Sequence, residues 1–378
     1  MAYVMNQKMV IGVSSRALFD LTVENEIFET RGLEAYCQYQ VEHEQEILRP
    51  GPGFRLIQSL LQLNECVEER NLIEVIIMSH NSPDTSLRVF NTIAHYGLPI
   101  TRSVLASGAS LAPYLAAFGT DLYLSACEED VQSAIDSGIA AGIICTGGPG
   151  ECGEREKTAA RRDSKIIPLS DASCRALPGG SCRVSADASC RALSGAPCRA
   201  LPGASCQAAS VPVESAAASF VAAPLAPGQI RIAFDGDAVL FADESEAIFQ
   251  EKGLNAFEEN EKAHASEPLA EGPFASFLKK LSDLQRELGT ENCPVRTALV
   301  TSRSAPAHER VIRTMRAWNV RVDEAFFLGG LEKREFLKAF GAQIFFDDQS
   351  VHTQSAAQAV PAARVPYRRK GEMYRFAR

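Results

Sequence analysis

The sequence predicts an α/β protein made of two similar, mainly parallel lobes, and three observations support this class. Apolar runs of strand length alternate with segments of helix length on both sides of residues 146–228. Strands that alternate with helices imply a mainly parallel, doubly wound sheet. Segments of the first half recur in the second half, and several strands of the second half end in carboxylates or hydroxyls.

The first lobe is predicted at residues 1–145. Its apolar runs indicate strands at 9–13, 73–78, 121–124 and 139–144, and segments of helix length lie at 24–39, 54–64 and 86–95. The run at 73–78 is almost wholly apolar, which is typical of a strand buried on both faces of a parallel sheet.

The middle segment, 146–228, differs in composition from both lobes. It consists of Gly, Pro, Ser, Ala and Cys repeats, and five of its cysteines recur at eight-residue intervals (Cys174, Cys182, Cys190, Cys198 and Cys206). Such a segment buries too little apolar surface to offset about 1–2 kcal/mol of backbone entropy per residue. We predict a disordered linker with reduced thiols, in preference to a redox or metal-binding tail.

The second lobe, 229–378, begins with a strand at about 230–234 that runs into Asp235-Gly236-Asp237. Side chains at i and i+2 of a strand point the same way, so the two carboxylates are expected to project together. Two carboxylates in one place repel unless a cation or a proton lies between them. The pair therefore suits a magnesium site in which one Asp attacks phosphorus, although a solvated turn at a strand end is the simpler alternative.

Two further strands of this lobe also end in polar residues. The run at 295–302 ends in Thr301 and Ser302, and the run at 343–348 ends in Asp347 and Asp348. Lys333 lies between them, at the predicted start of a helix. Each motif alone has a structural alternative, since Thr301 could cap a strand end and Asp347-Asp348 could cap a helix.

Taken together, the ordered set Asp-x-Asp, strand-Thr, Lys and strand-Asp-Asp resembles the motifs of the haloacid-dehalogenase-like phosphohydrolases. Three phrases, at 234–246 (FDGDAVLFADESE), 261–264 (EKAH) and 344–349 (IFFDDQ), resemble the cytosolic type I 5′-nucleotidases. The resemblance covers about 230–365 well and 8–145 more loosely. It implies Rossmann-like three-layer αβα lobes, with a small helical cap at about 243–292 that covers the active site.

The resemblance also implies a Mg²⁺-dependent 5′-nucleotidase, which hydrolyses nucleoside 5′-monophosphates through an aspartyl-phosphate. Asp235 is the expected nucleophile and Asp237 the general acid and base. Thr301, Ser302 and Lys333 are expected to bind the phosphoryl group. The expected metal ligands are Asp235, Asp237, Asp347 and Asp348, and the weaker candidates for substrate contact are His264 and Arg303.

The two lobes are predicted to be an internal duplication. Residues 26–36 (EIFETRGLEAY) correspond to 247–257 (AIFQEKGLNAF). Gly32 thus matches Gly253 and Gly119 matches Gly341, a shift of 221 or 222 residues. The same shift places Ser14 and Arg16 where the second lobe has Asp235 and Asp237. The first lobe is therefore expected to be a catalytically inactive, degenerate copy.

Composition limits the partners of the protein. A net charge of −9 argues against nonspecific nucleic-acid binding, which needs a basic surface. The start of the sequence has no apolar core of a secretory signal, and no apolar run reaches transmembrane length, so no membrane association and a cytoplasmic location are expected. Duplicated sheets commonly build interfaces, and a homo-oligomer is expected. The alternative functions are a sugar phosphatase of the same superfamily and a non-catalytic assembly or regulatory protein.

Overall fold

One large sheet organises the part of the chain that the computed structural model describes, which is residues 8–65, 71–145, 229–289, 293–369 and 373. All of these residues belong to one compact unit, Met1–Lys157 with Phe220–Arg378. The predicted linker at 146–228 lies outside the described residues. The predicted α/β class with a mainly parallel sheet is confirmed, and this architecture is compatible with a Rossmann-like fold.

The strands are, in chain order, β1 Met9–Val13, β2 Phe19–Asp20, β3 Arg49–Pro50, β4 Ile73–Ser79, β5 Arg102–Leu105, β6 Leu122–Ser125, β7 Ala140–Ile144, β8 Ile230–Phe234, β9 Val295–Thr301, β10 Glu324–Phe327, β11 Ile344–Asp347 and β12 Ala362–Arg364. Ten of them form the large sheet in the order β10-β9-β8-β11-β12-β7-β6-β1-β4-β5. Every neighbouring pair of this sheet is parallel except β12 and β7. The short strands β2 and β3 pair separately and antiparallel.

The α-helices are α1 Ser15–Leu18, α2 Thr22–Arg31, α3 Leu33–Glu42, α4 Phe54–Gln62, α5 Leu87–His95, α6 Ala112–Ala117, α7 Glu128–Asp136, α8 Glu244–Ala263, α9 Ala275–Leu288, α10 His308–Ala317, α11 Arg334–Phe340 and α12 Ser350–Ala356. Helix α9 packs against the sheet, since Phe277 and its neighbour Phe274 both contact Phe234 of β8. Part of the segment predicted as a cap therefore belongs to the core.

The predicted helix at 24–39 is wrong in one respect, because the chain breaks it into α2 and α3 at Gly32. Gly32 has φ 85°, a left-handed conformation that residues with a Cβ rarely adopt. Gly253 interrupts α8 in the same way, with φ 77°. The periodic pattern alone could not locate these breaks, because glycine inside a helix is tolerated as well as helix-ending.

The antiparallel pairing of β7 with β12 joins the two halves of the sheet. Ile144 lies opposite Ala363, and Ile143 lies opposite Arg364. A single hydrophobic cluster contains residues from both halves of the chain, so the halves share a core. There is no room for a side chain at Gly142 of β7, because a Cβ at this position would lie 2.9 Å from Cβ of Ala363.

The common direction of three neighbouring strands brings their polar ends together. β8 pairs in parallel with β9 on one side and with β11 on the other. The carboxyl ends of these three strands therefore lie side by side at the same end of the sheet. In open parallel sheets, ligands commonly bind just outside the carboxyl ends of the strands.

We predict that Gly142→Val destabilises the protein by about 1–3 kcal/mol, because the added methyl groups overpack the β7–β12 junction. Ser103→Val on the exposed face of the edge strand β5 is the matched control and should stay within about 0.5 kcal/mol of the parent. Urea unfolding followed by circular dichroism measures both. Equal stability of Gly142→Val and the control would show that the junction is not tightly packed.

Candidate active site

Three carboxyl groups lie together where β8 and β11 end. Asp235 directly follows β8, and its backbone N–H donates to the carbonyl of Phe346 at 2.8 Å. Asp347 is the last residue of β11, and Asp348 follows it. One carboxylate oxygen from each of these three aspartates lies within 4.8 Å of the others, and all three residues are buried.

Lys333 lies between two of these carboxylates. It is the residue before α11, and its Nζ lies 2.9 Å from Asp235 Oδ1 and 2.6 Å from Asp347 Oδ2. Burial opposes the charge of Lys333, but the two carboxylates outweigh it and raise the pKa of the ammonium group. The lysine thus stays charged and compensates part of the buried negative charge.

The three aspartates are electrostatically unequal. Burial raises the pKa of Asp235 to about 7, although Lys333 opposes the shift. Burial also opposes ionisation of Asp347, but Lys333 and then His352 hold its pKa below the usual value. Burial, followed by the charges of Asp347 and Asp235, raises the pKa of Asp348 well above 3.8. One lysine does not balance the negative charge of three carboxyl groups, so this group favours the binding of a further cation.

The donor set fits Mg²⁺. Hard carboxylate oxygens are the ligands that Mg²⁺ takes in proteins, where it keeps several waters and shares its remaining positions with phosphate. Asp235, Asp347 and Asp348 would hold the ion. Tyr367 donates its hydroxyl to Asp348, and the backbone N–H of Gln349 donates to Asp347 Oδ1 at 2.8 Å, so both carboxylates are oriented by neighbours.

Asp237 departs from the predicted arrangement, because its side chain is not part of this group. The extended strand ends at Asp235, and the chain then turns over Gly236–Leu240, with Ala238 at φ 58°. The alternation of side chains along a strand therefore does not apply to this pair. Both carboxylate oxygens of Asp237 instead accept hydrogen bonds from Arg303, at 2.6 Å from Nη2 and 2.8 Å from Nε.

Arg303 is the centre of a buried network of charges. Besides Asp237, its guanidinium binds Glu261 of α8. Glu261 also accepts from Arg310 at 2.9 Å and from the hydroxyl of Ser245 at 2.8 Å. The side chains of Arg303 and Glu261 are 2% and 0% exposed, so this ion pair is sheltered from solvent. It connects helix α8 to the turn that carries Asp237.

The predicted phosphate-binding residues are placed differently from one another. Thr301 is buried at the end of β9, and its Oγ1 accepts the backbone N–H of Arg303 at 3.2 Å. A Cβ on Gly236 would lie 3.2 Å from this oxygen, so Thr301 packs closely on the turn after β8. Ser302 is exposed beside it. Lys333, in contrast, directly contacts Asp235 and Asp347.

His264 lies away from the carboxylates. It follows α8 and donates from Nδ1 to the carbonyl of Asn260 at 2.8 Å. Both line a cavity of about 230 Å³ together with Glu244, Ser245, Ile248 and Arg310. The network of Arg310, Glu261 and Arg303 therefore links this cavity to Asp237.

Four residues of these two networks are not predicted from the sequence: Glu261, Arg310, His352 and Tyr367. Glu261 belongs to the phrase EKAH at 261–264, of which only His264 is predicted to contact the substrate. Arg310 is matched by Arg88 in the predicted duplication, and this repetition is a signal in the sequence that points to it. Tyr367 and His352 follow β12 and β11, and no local pattern distinguishes them.

Comparison with known proteins agrees with the motifs. A family model described as 5′-nucleotidase matches residues 1–162 and 204–372. Cytosolic 5′-nucleotidase 1B of Homo sapiens is 32% identical over 372 residues, which is 96% of this chain and 49% of the human protein. The chain thus spans about half the length of this curated relative.

One solved structure, a chain of a Pnkp1/Rnl/Hen1 complex, aligns with 95% of this chain and 96% of that chain. Its sequence identity of 12% and TM-score of 0.26 are too low for it to support any conclusion.

We predict that Glu261→Gln lowers the free energy of unfolding by about 3–5 kcal/mol, because Arg303 and Arg310 lose a buried counter-charge. Glu259→Gln, on an exposed position of the same helix, should stay within about 0.5 kcal/mol of the parent. Urea unfolding measures both variants. A similar small effect for the two would show that the network contributes little to stability.

A second prediction concerns the pH dependence of Asp348→Asn in the presence of EDTA. A carboxyl group whose pKa is raised in the folded state binds protons more tightly there than in the unfolded chain. Burial of Asp348 therefore costs no folding stability below pH 3.8, where the carboxyl group is protonated in both states. As the pH rises from there towards the pKa of the folded state, burial of this group increasingly destabilises the protein. We expect the Tm of Asp348→Asn to match the parent near pH 4 and to exceed it at pH 7 and above. A Tm difference that does not grow with pH would contradict this, and Asp283→Asn on the exposed side of α9 is the control.

Proposed function

This chain belongs to the 5′-nucleotidase family, and we propose that it hydrolyses nucleoside 5′-monophosphates to nucleoside and phosphate with Mg²⁺ as cofactor. One structural observation carries the proposal. A buried carboxylate, Asp235, lies within 4.8 Å of two further carboxylates and 2.9 Å from the ammonium group of Lys333. A nucleophile, a cation site and a fixed positive charge in one place are what phosphoryl transfer requires.

Asp235 is the proposed nucleophile. One of its carboxylate oxygens forms a bond to phosphorus, the bond from phosphorus to the 5′-oxygen breaks, and an aspartyl-phosphate results. Attack of water on this intermediate then releases inorganic phosphate and restores the carboxylate. Asp235 must be ionised to attack, and Lys333 favours that form. When bound, Mg²⁺ would offset the charge of the phosphoryl group and of the carboxylates.

Asp237 is the proposed general acid, which protonates the leaving 5′-oxygen, and then the base that takes a proton from water. In this structure both of its oxygens are bound to Arg303, so the ion pair has to open before Asp237 can exchange a proton with substrate. Arg303 would then be free to bind the substrate. Its contact with Glu261 ties that opening to movement of α8.

Thr301, Ser302 and Lys333 are the proposed phosphate-binding residues. Lys333 already contacts Asp235, and the hydroxyl of Thr301 lies against the turn at Gly236. Helix α8 is the proposed cap, because its residues Glu261 and Phe257 contact Arg303 while α9 packs on the sheet. His264 is proposed to line a substrate-facing cavity beneath this cap.

We also propose that the chain is an internal duplication of three-layer αβα lobes of the haloacid-dehalogenase type. Strands β5-β4-β1-β6-β7 and β10-β9-β8-β11-β12 follow equivalent orders. Three hydrogen bonds recur at the shift of 221 or 222 residues: Leu48 N–H to Thr92 and Leu269 N–H to Thr314, His43 to Tyr39 and His264 to Asn260, and Arg88 to Glu46 and Arg310 to Glu267.

The first lobe is proposed to be inactive. Ser14 and Arg16 stand where the second lobe has its two aspartates, and Gln40 stands where it has Glu261. The boundaries 1–145, 146–228 and 229–378 remain a proposal, as do a homo-oligomer and the absence of membrane or nucleic-acid partners. A cytoplasmic location is proposed from the name of the human relative. None of the described helices is long and apolar enough to cross a membrane.

The test is release of inorganic phosphate from AMP, IMP, dCMP and a sugar phosphate by the full chain. We expect turnover of at least one nucleotide, little turnover of the sugar phosphate, and loss of activity in EDTA that is restored by excess Mg²⁺. Preference for the sugar phosphate would favour another phosphatase of the superfamily. No phosphate release from any substrate would favour a non-catalytic protein.

We predict that Asp235→Asn reduces turnover about 10⁴-fold or more, equivalent to about 5.5 kcal/mol of barrier, because an amide is a very poor nucleophile. Asp283→Asn, an exposed change of the same kind, should retain parental kcat and KM. Residual activity of Asp235→Asn above a few per cent would identify a different nucleophile.

A further inference from the structure

Three potential metal ligands of a different kind meet in the first half of the chain. His80 follows β4, Cys127 immediately precedes α7, and Asp130 lies in its first turn. One ligand atom from each lies within 4.8 Å of the other two. In the sheet, β6 is separated from β11 by β12 and β7, so this group is distinct from the three aspartates of the candidate active site.

The donor chemistry distinguishes the two groups. Asp235, Asp347 and Asp348 offer only hard oxygens, whereas the second group offers an imidazole nitrogen, a thiolate sulfur and a carboxylate oxygen. Zn²⁺ is bound by this combination of nitrogen, sulfur and oxygen ligands, and softer ligands select it over Mg²⁺. Three protein ligands would leave a fourth position for water.

Local structure explains why the ligands converge. Cys127 and Asp130 are three residues apart at the start of a helix, so their side chains lie on the same side of its first turn. This is the spacing of the close Cys-x2-Cys pairs found in zinc sites. His80 Nε2 reaches the pair from the loop after β4 and lies 2.7 Å from Asp130 Oδ2.

A buried hydroxyl beside the group provides an independent observation. Tyr123 on β6 is 0% exposed, and its hydroxyl lies beside Ser125 and Asp130. The hydroxyl is close enough to Asp130 that, after burial itself, this carboxylate raises the pKa of Tyr123. A metal-bound water at the fourth position would give this buried hydroxyl a further hydrogen-bond partner.

The surroundings also allow a cation to enter. The side chain of His80 is 38% exposed, while that of Asp130 is 9% exposed, so one side of the group is open to solvent. Without a metal, His80 and Asp130 form an ion pair next to a thiol. That simple ion pair is the alternative explanation for the cluster.

We propose that His80, Cys127 and Asp130 form a zinc site, which clamps the loop after β4 to the start of α7. The site would stabilise the first lobe and is independent of the proposed nucleotidase activity. Zinc bound here would offset the negative charges of the Cys127 thiolate and the Asp130 carboxylate.

The first test is zinc stoichiometry of the full chain, measured by equilibrium dialysis and mass spectrometry in excess Mg²⁺. The chain has eleven cysteines, so the result lies in differences between variants. Cys127→Ser, Asp130→Asn and His80→Gln should each bind about one Zn²⁺ fewer than their matched controls Cys37→Ser, Asp136→Asn and His95→Gln. Equal stoichiometry in variants and controls would overturn the proposal and leave the ion pair as the explanation.

The second test needs no variant and so does not depend on how the variants fold. Alkylation of the parent protein is followed by peptide mass spectrometry at Cys127 and, as an internal control, at the half-buried Cys37. At zinc about tenfold above Kd, the unliganded fraction and hence the alkylation rate of Cys127 should fall about tenfold, while Cys37 is unaffected. An alkylation rate of Cys127 that does not change with zinc, or an equal fall for both thiols, would contradict a specific site.

Discussion

The ion contacts of Lys333 are the constraint on which the second half of the structure depends. Three carboxyl groups are buried at the ends of β8 and β11, and removing several charges from water costs several kcal/mol per ion. Lys333 contacts two of them and compensates only part of that cost. The fold therefore maintains a strained electrostatic arrangement, which a bound cation and a phosphate would relieve. Such arrangements are characteristic of functional sites rather than of cores.

A second network extends from this centre to the helix above it. Asp237, Arg303, Glu261 and Arg310 form an alternating chain of charges from the turn after β8 to α8 and α10. Each charge is satisfied by its neighbours, and the aromatic ring of Phe257 lies 5.1 Å from the guanidinium of Arg303. In the proposed mechanism, displacement of α8 would break the contact of Glu261 with Arg303 and so favour release of Asp237. If α8 is the cap, as proposed, this network would couple access of the substrate to the availability of the proposed acid.

The two halves of the chain carry different polar side chains at the ends of their strands. Their strand orders are equivalent, and β7 and β12 join them into one sheet with a shared core. The edge of the second half carries carboxylates and a lysine, whereas the edge of the first half carries hydroxyls and the group of His80, Cys127 and Asp130. Strand ends of an open parallel sheet collect side chains from separate loops, so substitutions there change the chemistry without changing the core.

Much of this organisation was determined by the sequence alone. Three local patterns lie where they were predicted: the apolar runs of β4 and β8, the carboxylates at the ends of β8 and β11, and Lys333 at the start of a helix. The tertiary structure decided which of these side chains meet. Asp237 binds Arg303, 66 residues away, and Arg303 binds Glu261, 42 residues away, whereas a strand pattern placed Asp237 beside Asp235. His80 and Asp130 are likewise 50 residues apart. Periodicity records which face of one element is buried, but the pairing of charges from different elements depends on distances that only the packed chain sets.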